Sequence, residues 1–342
     1  MTTGQTIKAV EFNAIRDKVE QILDSGGTVG GIRGYGQILI STPVQASLGT
    51  NDIDGDPDSI TKITKAQWEA LRRDIINIKI HQENPKGSDG NPIVPNVISI
   101  PENDPIRFGS NHPNTNFNNL IDQLTITSLN IAEGRSLLTS ATGSPAITSA
   151  TWASLATCEV EITFNGYTRS DNVPVSALNH ARFFFNSGGK FRLYSRRIGG
   201  TVSAQNNSWS SLLVQAGIRE FSALGPANLN FYNLTDGYQT LYQLFSSGAY
   251  STNTFLIEAK CDVPTNQTAT ATKVFFRISW IDGYQDTDPF TLPADLIDGT
   301  LQLFVEEVKA VGPIFNSISG QTPTGTFVIP SPTYQISPIN VS

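Results

Sequence analysis

The chain has two cysteines, one methionine and three histidines in 342 residues, and these scarcities already narrow its chemistry. Cys158 and Cys261 both fall in strand-like sequence, where one disulfide is possible but not implied and buried free thiols are the expected state. His81, His112 and His180 have no Cys or second His at ligand spacing, so no zinc site is expected. Charge is scarce too: 15% of residues are charged, against about 25% in an average soluble protein. The net charge is −7, and no run of Lys or Arg reaches three residues, which argues against nucleic acid and anionic membranes as partners. No apolar run approaches 18 residues, so no membrane insertion is expected. The opening MTTGQTIKAVEFN lacks the basic-then-apolar order of a signal peptide, so synthesis in a cytoplasm is expected.

Catalytic patterns are also missing. No strand-to-helix G-x-S-x-G turn occurs, and Gly26–Gly36 lacks the Lys-Ser/Thr of a phosphate-binding loop. Glu306 and Glu307 are adjacent on a strand and so face opposite ways, which keeps them from flanking one glycosidic bond. Asn51–Asp58 alternates carboxylates as a calcium loop does. Its glycine is misplaced, however, Pro57 is foreign to the pattern, and the twelfth position from Asp52 is Ile63, so a solvated acidic turn is the stronger reading. The expectation is a non-enzymatic protein with no catalytic, cofactor-binding or metal residues.

Within residues 1–140 an aromatic residue opens a helical repeat three times. Phe12, Ile15, Val19 and Ile22 share one spacing with Trp68, Leu71, Ile75 and Ile78, and Phe117, Leu120 and Leu124 begin it again. Amphipathic helices are predicted near 9–24, 65–82 and 115–131, the second opened by a Thr64/Gln67 capping box. Their apolar stripes need cover, so Phe12, Ile15, Trp68, Leu71, Ile75, Phe117 and Leu120 are the expected docking or oligomerisation residues. Long polar connections, 26–59 and 84–114, separate the helices.

From about residue 150 to 311 the period changes to two. Val160, Ile162 and Phe164 alternate with Glu159, Glu161 and Thr163; Phe255, Ile257, Ala259 and Cys261 form one face; Val274, Phe276, Ile278 and Trp280 form another. An antiparallel β-sandwich with one or two inserted helices is predicted, giving an α+β chain overall. Within it, Ala181–Ser195 reads as a hairpin turning at Asn186–Gly189. Ser208 reads as the cap of a helix carrying Trp209, Leu212, Leu213 and Ala216, and Tyr238, Leu241, Tyr242 and Phe245 as a second helix. Residues 312–342, rich in proline, are expected to form an extended arm. Tyr167, Tyr194, Trp209, Tyr232, Tyr250 and Tyr284 are the aromatics able to stack on sugars, although most aromatics in a sandwich are core.

FNAIRDKVEQIL, GYGQ and ITKAQWEALRRDIINIKIHQ, within Phe12–Gln82, together with ARFFFNSGGKFRL and the Trp209-Leu212-Leu213 helix, resemble a family of virion structural proteins of tailed bacteriophages, notably those infecting cyanobacteria. The resemblance covers about half the chain. It implies a component of the tail, neck or fibre apparatus in the virion, contacting other virion proteins and bringing no catalytic residues. A homo-oligomer is expected, a trimer first and a hexameric or dodecameric ring next. The alternative is a carbohydrate-binding head that recognises host-surface glycan.

Overall fold

A computed structural model describes residues 9–23, 34, 36–44, 63–83, 137–141, 144–223, 229–264, 270–284, 296–314 and 325–342. The predicted third helix with Phe117 and Leu120, the acidic stretch 51–58, and His112 lie outside the described residues. The chain forms two compact units, Met1–Leu137 with Ala310–Ile329, and Leu138–Lys309 with Pro330–Ser342.

The first unit contains α1 (Ala9–Leu23) and α2 (Lys65–Glu83). The capping box is present: the Thr64 amide donates to Gln67 Oε1 at 2.9 Å, and the Gln67 amide donates to Thr64 Oγ1 at 3.3 Å. The apolar stripes meet inside the chain, with the rings of Phe12 and Trp68 6.4 Å apart. Phe12, Ile15, Trp68, Leu71 and Ile75 are all at most 3% exposed. They are core, not an exposed docking stripe, because the chain covers the stripe itself.

In chain order the strands are β1 (Leu137–Ala141), β2 (Ala146–Thr148), β3 (Leu155–Thr163), β4 (Tyr167–Thr168), β5 (Pro174–Val175), β6 (Lys190–Ile198), β7 (Arg219–Ser222) and β8 (Gln239–Phe245), then β9 (Thr254–Cys261), β10 (Lys273–Ile281), β11 (Thr300–Ile314), β12 (Gly325–Val328), β13 (Thr333–Ile336) and β14 (Asn340–Val341). Two helices interrupt them, α3 (Ala177–Asn186) and α4 (Ala204–Ala216). The second unit is an antiparallel sandwich. One sheet places β11 between β2 and β6, with β7 beyond β6; the other runs β13-β3-β10-β9-β8, with β14 also on β3. The predicted period-two faces point inward: Val160, Ile162, Phe255, Ile257, Val274, Phe276, Ile278 and Trp280 are fully buried. The sheets meet through Phe276, 5.2 Å from Phe221 and 6.4 Å from Phe191.

Four expectations for this region are corrected. First, Ala181–Ser195 is not a hairpin, because its first run is the helix α3. Ser176 caps it by accepting from the Asn179 amide, and His180 to Asn186 are all buried. The three phenylalanines then fan out around the helix: Phe184 stacks on Phe191 at 5.1 Å and Phe185 on Phe231 at 4.1 Å. Gly189 follows without a Cβ, which would stand 2.6 Å from the Phe184 ring. Second, the run from Tyr238 to Phe245 is not a helix: Gln239–Phe245 is the strand β8. A bulge at Leu241 inserts one residue, and Tyr242, opposite Ile257, and Phe245, opposite Thr254, fall on opposite faces of the strand, so their helical spacing marks no common apolar face. Third, Thr333–Ile336 and Asn340–Val341 are no free arm, since both pair with β3. No proline falls inside either strand, and β13 is an edge strand, where neighbouring prolines are tolerated. Fourth, helix α4 matches its predicted face and Gly217 stop, but Ser203, not Ser208, is the cap.

Candidate functional site

Two buried polar clusters stand out, one in each unit. In the first unit a side-chain clamp grips residues 37–44 against both helices. Asn13 uses its whole amide on one residue, donating to the Val44 carbonyl at 2.8 Å and accepting from the Val44 amide at 2.9 Å. Arg16, one turn on, donates from Nε to the Ser41 carbonyl at 3.1 Å and pairs with Glu20 at 2.8 Å. From α2, Asp74 accepts from the Ile40 amide (2.8 Å), the Ser41 amide (2.9 Å) and the Ser41 hydroxyl (2.5 Å). The Gln37 amide donates to the Leu23 carbonyl at 2.9 Å, satisfying one orphan acceptor at the end of α1. Burial pushes the Asp74 carboxyl up to about 6, against the downward pull of the donors from Ser41 and Ile40. Backbone groups of Ile40, Ser41 and Val44 are thus met by side chains, as a neighbouring strand would meet them.

In the sandwich, Glu307 and Lys309 continue the inward-facing alternation of Leu301, Leu303 and Val305 and are 2% and 7% exposed. Tyr334 on β13 donates its hydroxyl to Glu307 Oε2 at 2.7 Å, and Lys309 Nζ lies 3.5 Å from Glu307 Oε1 and 2.8 Å from Ser331 Oγ. Buried His180 on α3 lies between two carbonyls, with Nδ1 2.7 Å from Asn165 O and Nε2 2.9 Å from Pro330 O. Burial pushes the imidazole below its usual range, and the two carbonyls, each best met by an N–H, pull it up. These contacts fasten residues 330–334 to α3 and β11.

Both clusters tie the chain to itself, and neither combines an exposed nucleophile with a base. Among the described residues, no group of three or more His, Cys, Asp or Glu gathers as a metal site, and no helix is long and apolar enough to cross a membrane. Cys158 and Cys261 are free and buried. β10 separates them, and Cys158 pairs with Ile278 while Cys261 pairs with Val274, so they are offset along the strands as well. Glu306 and Glu307 do face opposite ways: Glu306 accepts from the Tyr194 hydroxyl at 3.1 Å outside, and Glu307 points inward. His81 stands in the last turn of α2 and is buried.

Of the aromatics considered for sugar stacking, Trp209 is buried edge-on against Trp152, and Tyr232 donates its hydroxyl to Asn186. Tyr167 meets the His180 ring edge-on at 5.1 Å. Tyr194 lies parallel to Phe304 at 4.8 Å, and Arg196 covers that ring at 4.6 Å. Tyr250 and Tyr284, 4.6 Å apart and half-buried, are the two of these aromatics that pair with each other.

Sequence reasoning overlooked Asn13, Arg16, Asp74 and Lys309, and weighed Glu307 only as half of a carboxylate pair. A signal existed: Asp74 shares the stripe of Leu71, Ile75 and Ile78, and Glu307 shares a strand face with Leu303 and Val305. A charge at a core position marks a partner that must be found elsewhere in the chain. Compared with protein-family models, curated proteins and solved structures, the chain matches none.

Proposed function

We propose that the chain is a non-enzymatic structural component of a tailed bacteriophage particle, in its tail, neck or fibre apparatus. The helical unit would meet neighbouring virion proteins through its outer surface, and the sandwich would serve as a spacer or head. One observation carries the reading. Most of the N-terminal residues that bear the resemblance converge on one interlocked element, in which Phe12 packs on Trp68 while Asn13, Arg16 and Asp74 hold residues 40–44. Motif residues used in this way suit a chain built for fixed shape rather than for turnover. The test is mass spectrometry of gradient-purified particles made in cells that express the gene from an intact phage genome. Several copies per particle are expected. A chain abundant in the lysate and absent from particles would remove the reading.

The glycan-binding alternative rests on the Tyr250–Tyr284 pair, flanked by Asn253, whose Oδ1 accepts from the Gly283 and Tyr284 amides at 3.1 and 3.0 Å. Binding on an array of bacterial surface glycans that is lost in Tyr250→Ala with Tyr284→Ala would favour it.

A further inference from the structure

We infer that Asn165 and Gly166 form a site of spontaneous covalent modification, at which the Asn165 side chain closes on the Gly166 nitrogen and becomes isoaspartate and aspartate. Theirs is the sole Asn-Gly pair in the sequence, and glycine, lacking a Cβ, is the residue that least obstructs this closure. Both residues are exposed and lie outside any strand or helix, between β3 and β4. The Gly166 amide, which is the nucleophile, carries no hydrogen bond among the described residues. The Asn165 amide is held from its nitrogen alone, which donates to Thr333 Oγ1 at 3.1 Å and to the Thr163 carbonyl at 3.5 Å. The described Asp-Gly pairs are engaged where this one is open. Gly237, after Asp236, donates its amide to Thr235 Oγ1 at 3.3 Å, and Gly283, after Asp282, donates to Asn253 Oδ1 at 3.1 Å. The Asp298 carboxylate, before Gly299, accepts from Thr201, Arg197 and Asn206.

Water is the only co-reactant. The Gly166 nitrogen bonds to Asn165 Cγ, the Cγ–Nδ2 bond breaks, and the amide proton leaves with Nδ2 as ammonia, giving a succinimide. Water then opens the ring, at Cγ to give aspartate or at the main-chain carbonyl carbon to give isoaspartate; either product replaces a neutral amide by a carboxylate. In isoaspartate the main chain runs through Cβ and Cγ and is longer by one carbon. That carbon enters between fixed points, since the Phe164 amide donates to the Thr272 carbonyl at 2.9 Å and Tyr167 pairs with Val175. The carbonyl that faces His180 Nδ1 at 2.7 Å becomes a free carboxylate. The added length is therefore taken up at the contacts to His180 and Thr333, loosening the start of α3 and of β13. This goes beyond the particle role and does not depend on it.

The experiment incubates the full chain at mildly alkaline pH, with and without urea, and follows it by peptide mapping and isoaspartate-specific methylation. In native buffer the peptide holding residues 165–166 is expected to convert, faster as pH rises because the Gly166 amide must lose its proton, while the peptides holding Asp236, Asp282 and Asp298 stay intact. Asn165→Gln, whose longer side chain closes a larger and slower-forming ring, keeps the main-chain carbonyl that faces His180 and should fold with the wild-type urea midpoint and without the main acidic isoform. In that isoform, isolated from wild-type chain by ion exchange, hydrogen exchange should rise in peptides from α3 and β13. Conversion in urea without conversion in native buffer overturns the site, as does an equally abundant acidic isoform in Asn165→Gln. Unchanged exchange in the isolated isoform overturns the coupling to α3 and β13.

Discussion

In the helical unit the buried charge sits in the middle of the apolar stripe; in the sandwich it sits at the end of an inner face. Asp74 lies among Leu71, Ile75 and Ile78, and its donors come from a segment more than thirty residues away, so the helices and the strap form together. Glu307 and Lys309 follow three apolar positions of β11 and fasten a strand to a core already filled by aromatic rings. Polar bonds give the first unit its arrangement, whereas packing gives the second its arrangement and polar bonds only close its border. A polar clamp is sensitive to pH and to loss of one partner, and a ring cluster is sensitive to loss of volume.

The largest effect should come from volume. Phe184→Ala empties a site where the ring touches Phe164, Phe185 and Phe191, and should cost the sandwich about 3–5 kcal/mol in chemical denaturation. Hydrogen exchange of peptides from α1 and α2 should not change; if they loosen equally, the two units are not energetically separate.

Acid should act on the clamp with the next largest effect. With the folded-state carboxyl at about 6, above its ordinary 3.8, the folded unit holds more protons between those values. Stability of the helical unit should therefore be greatest near pH 4 and fall, by up to about 3 kcal/mol, as pH rises through 6. Asp74→Ala should flatten that slope and, by leaving the Ile40 and Ser41 donors unmet, cost about 2 kcal/mol near pH 4. Exchange of α2 amides, corrected for intrinsic rates, measures both; a slope that survives in the variant assigns it to another group.

The smallest effect has the opposite sign. Burial holds His180 below its ordinary range, so the unfolded chain takes up the proton first. The sandwich should keep this contribution above pH 6.5 and lose it as pH falls through that value toward the folded-state pKa. His180→Gln should remove the dependence in urea titrations at pH 7.5 and 5.5. Equal midpoints for wild-type chain at the two pH values would mean that the imidazolium is held equally well by the Asn165 and Pro330 carbonyls.

Much of the architecture was legible because periodicity survives wherever one face is buried and the other is not. The alternations in β3, β9, β10 and β11, and the stripes of α1 and α2, are of this kind. Legibility failed where that contrast was absent. Seven consecutive residues of α3 are buried, so no polar face betrays the helix, and Phe183–Phe185 reads equally well as strand. β8 has no fully buried residue and carries a bulge, so its pattern shifts out of period two. Of the docking candidates, Phe12, Ile15, Trp68, Leu71 and Ile75 stand on helices as expected and are buried within the chain, since a stripe does not say which part of the chain covers it.

The amino-acid sequence by itself determined where the helical period gives way to the alternating one, which residues of β3, β9 and β10 turn inward, and where Thr64 and Gly217 begin and end their helices. These are local consequences of side-chain chemistry and backbone geometry. Only the tertiary structure decided that α1 and α2 clasp residues 37–44, that β13 and β14 join β3 near the end of the chain, and that Asp74 and Glu307 find their partners. Each of those outcomes joins groups distant in sequence, and a buried polar atom declares only that it needs a partner, not where along the chain that partner lies.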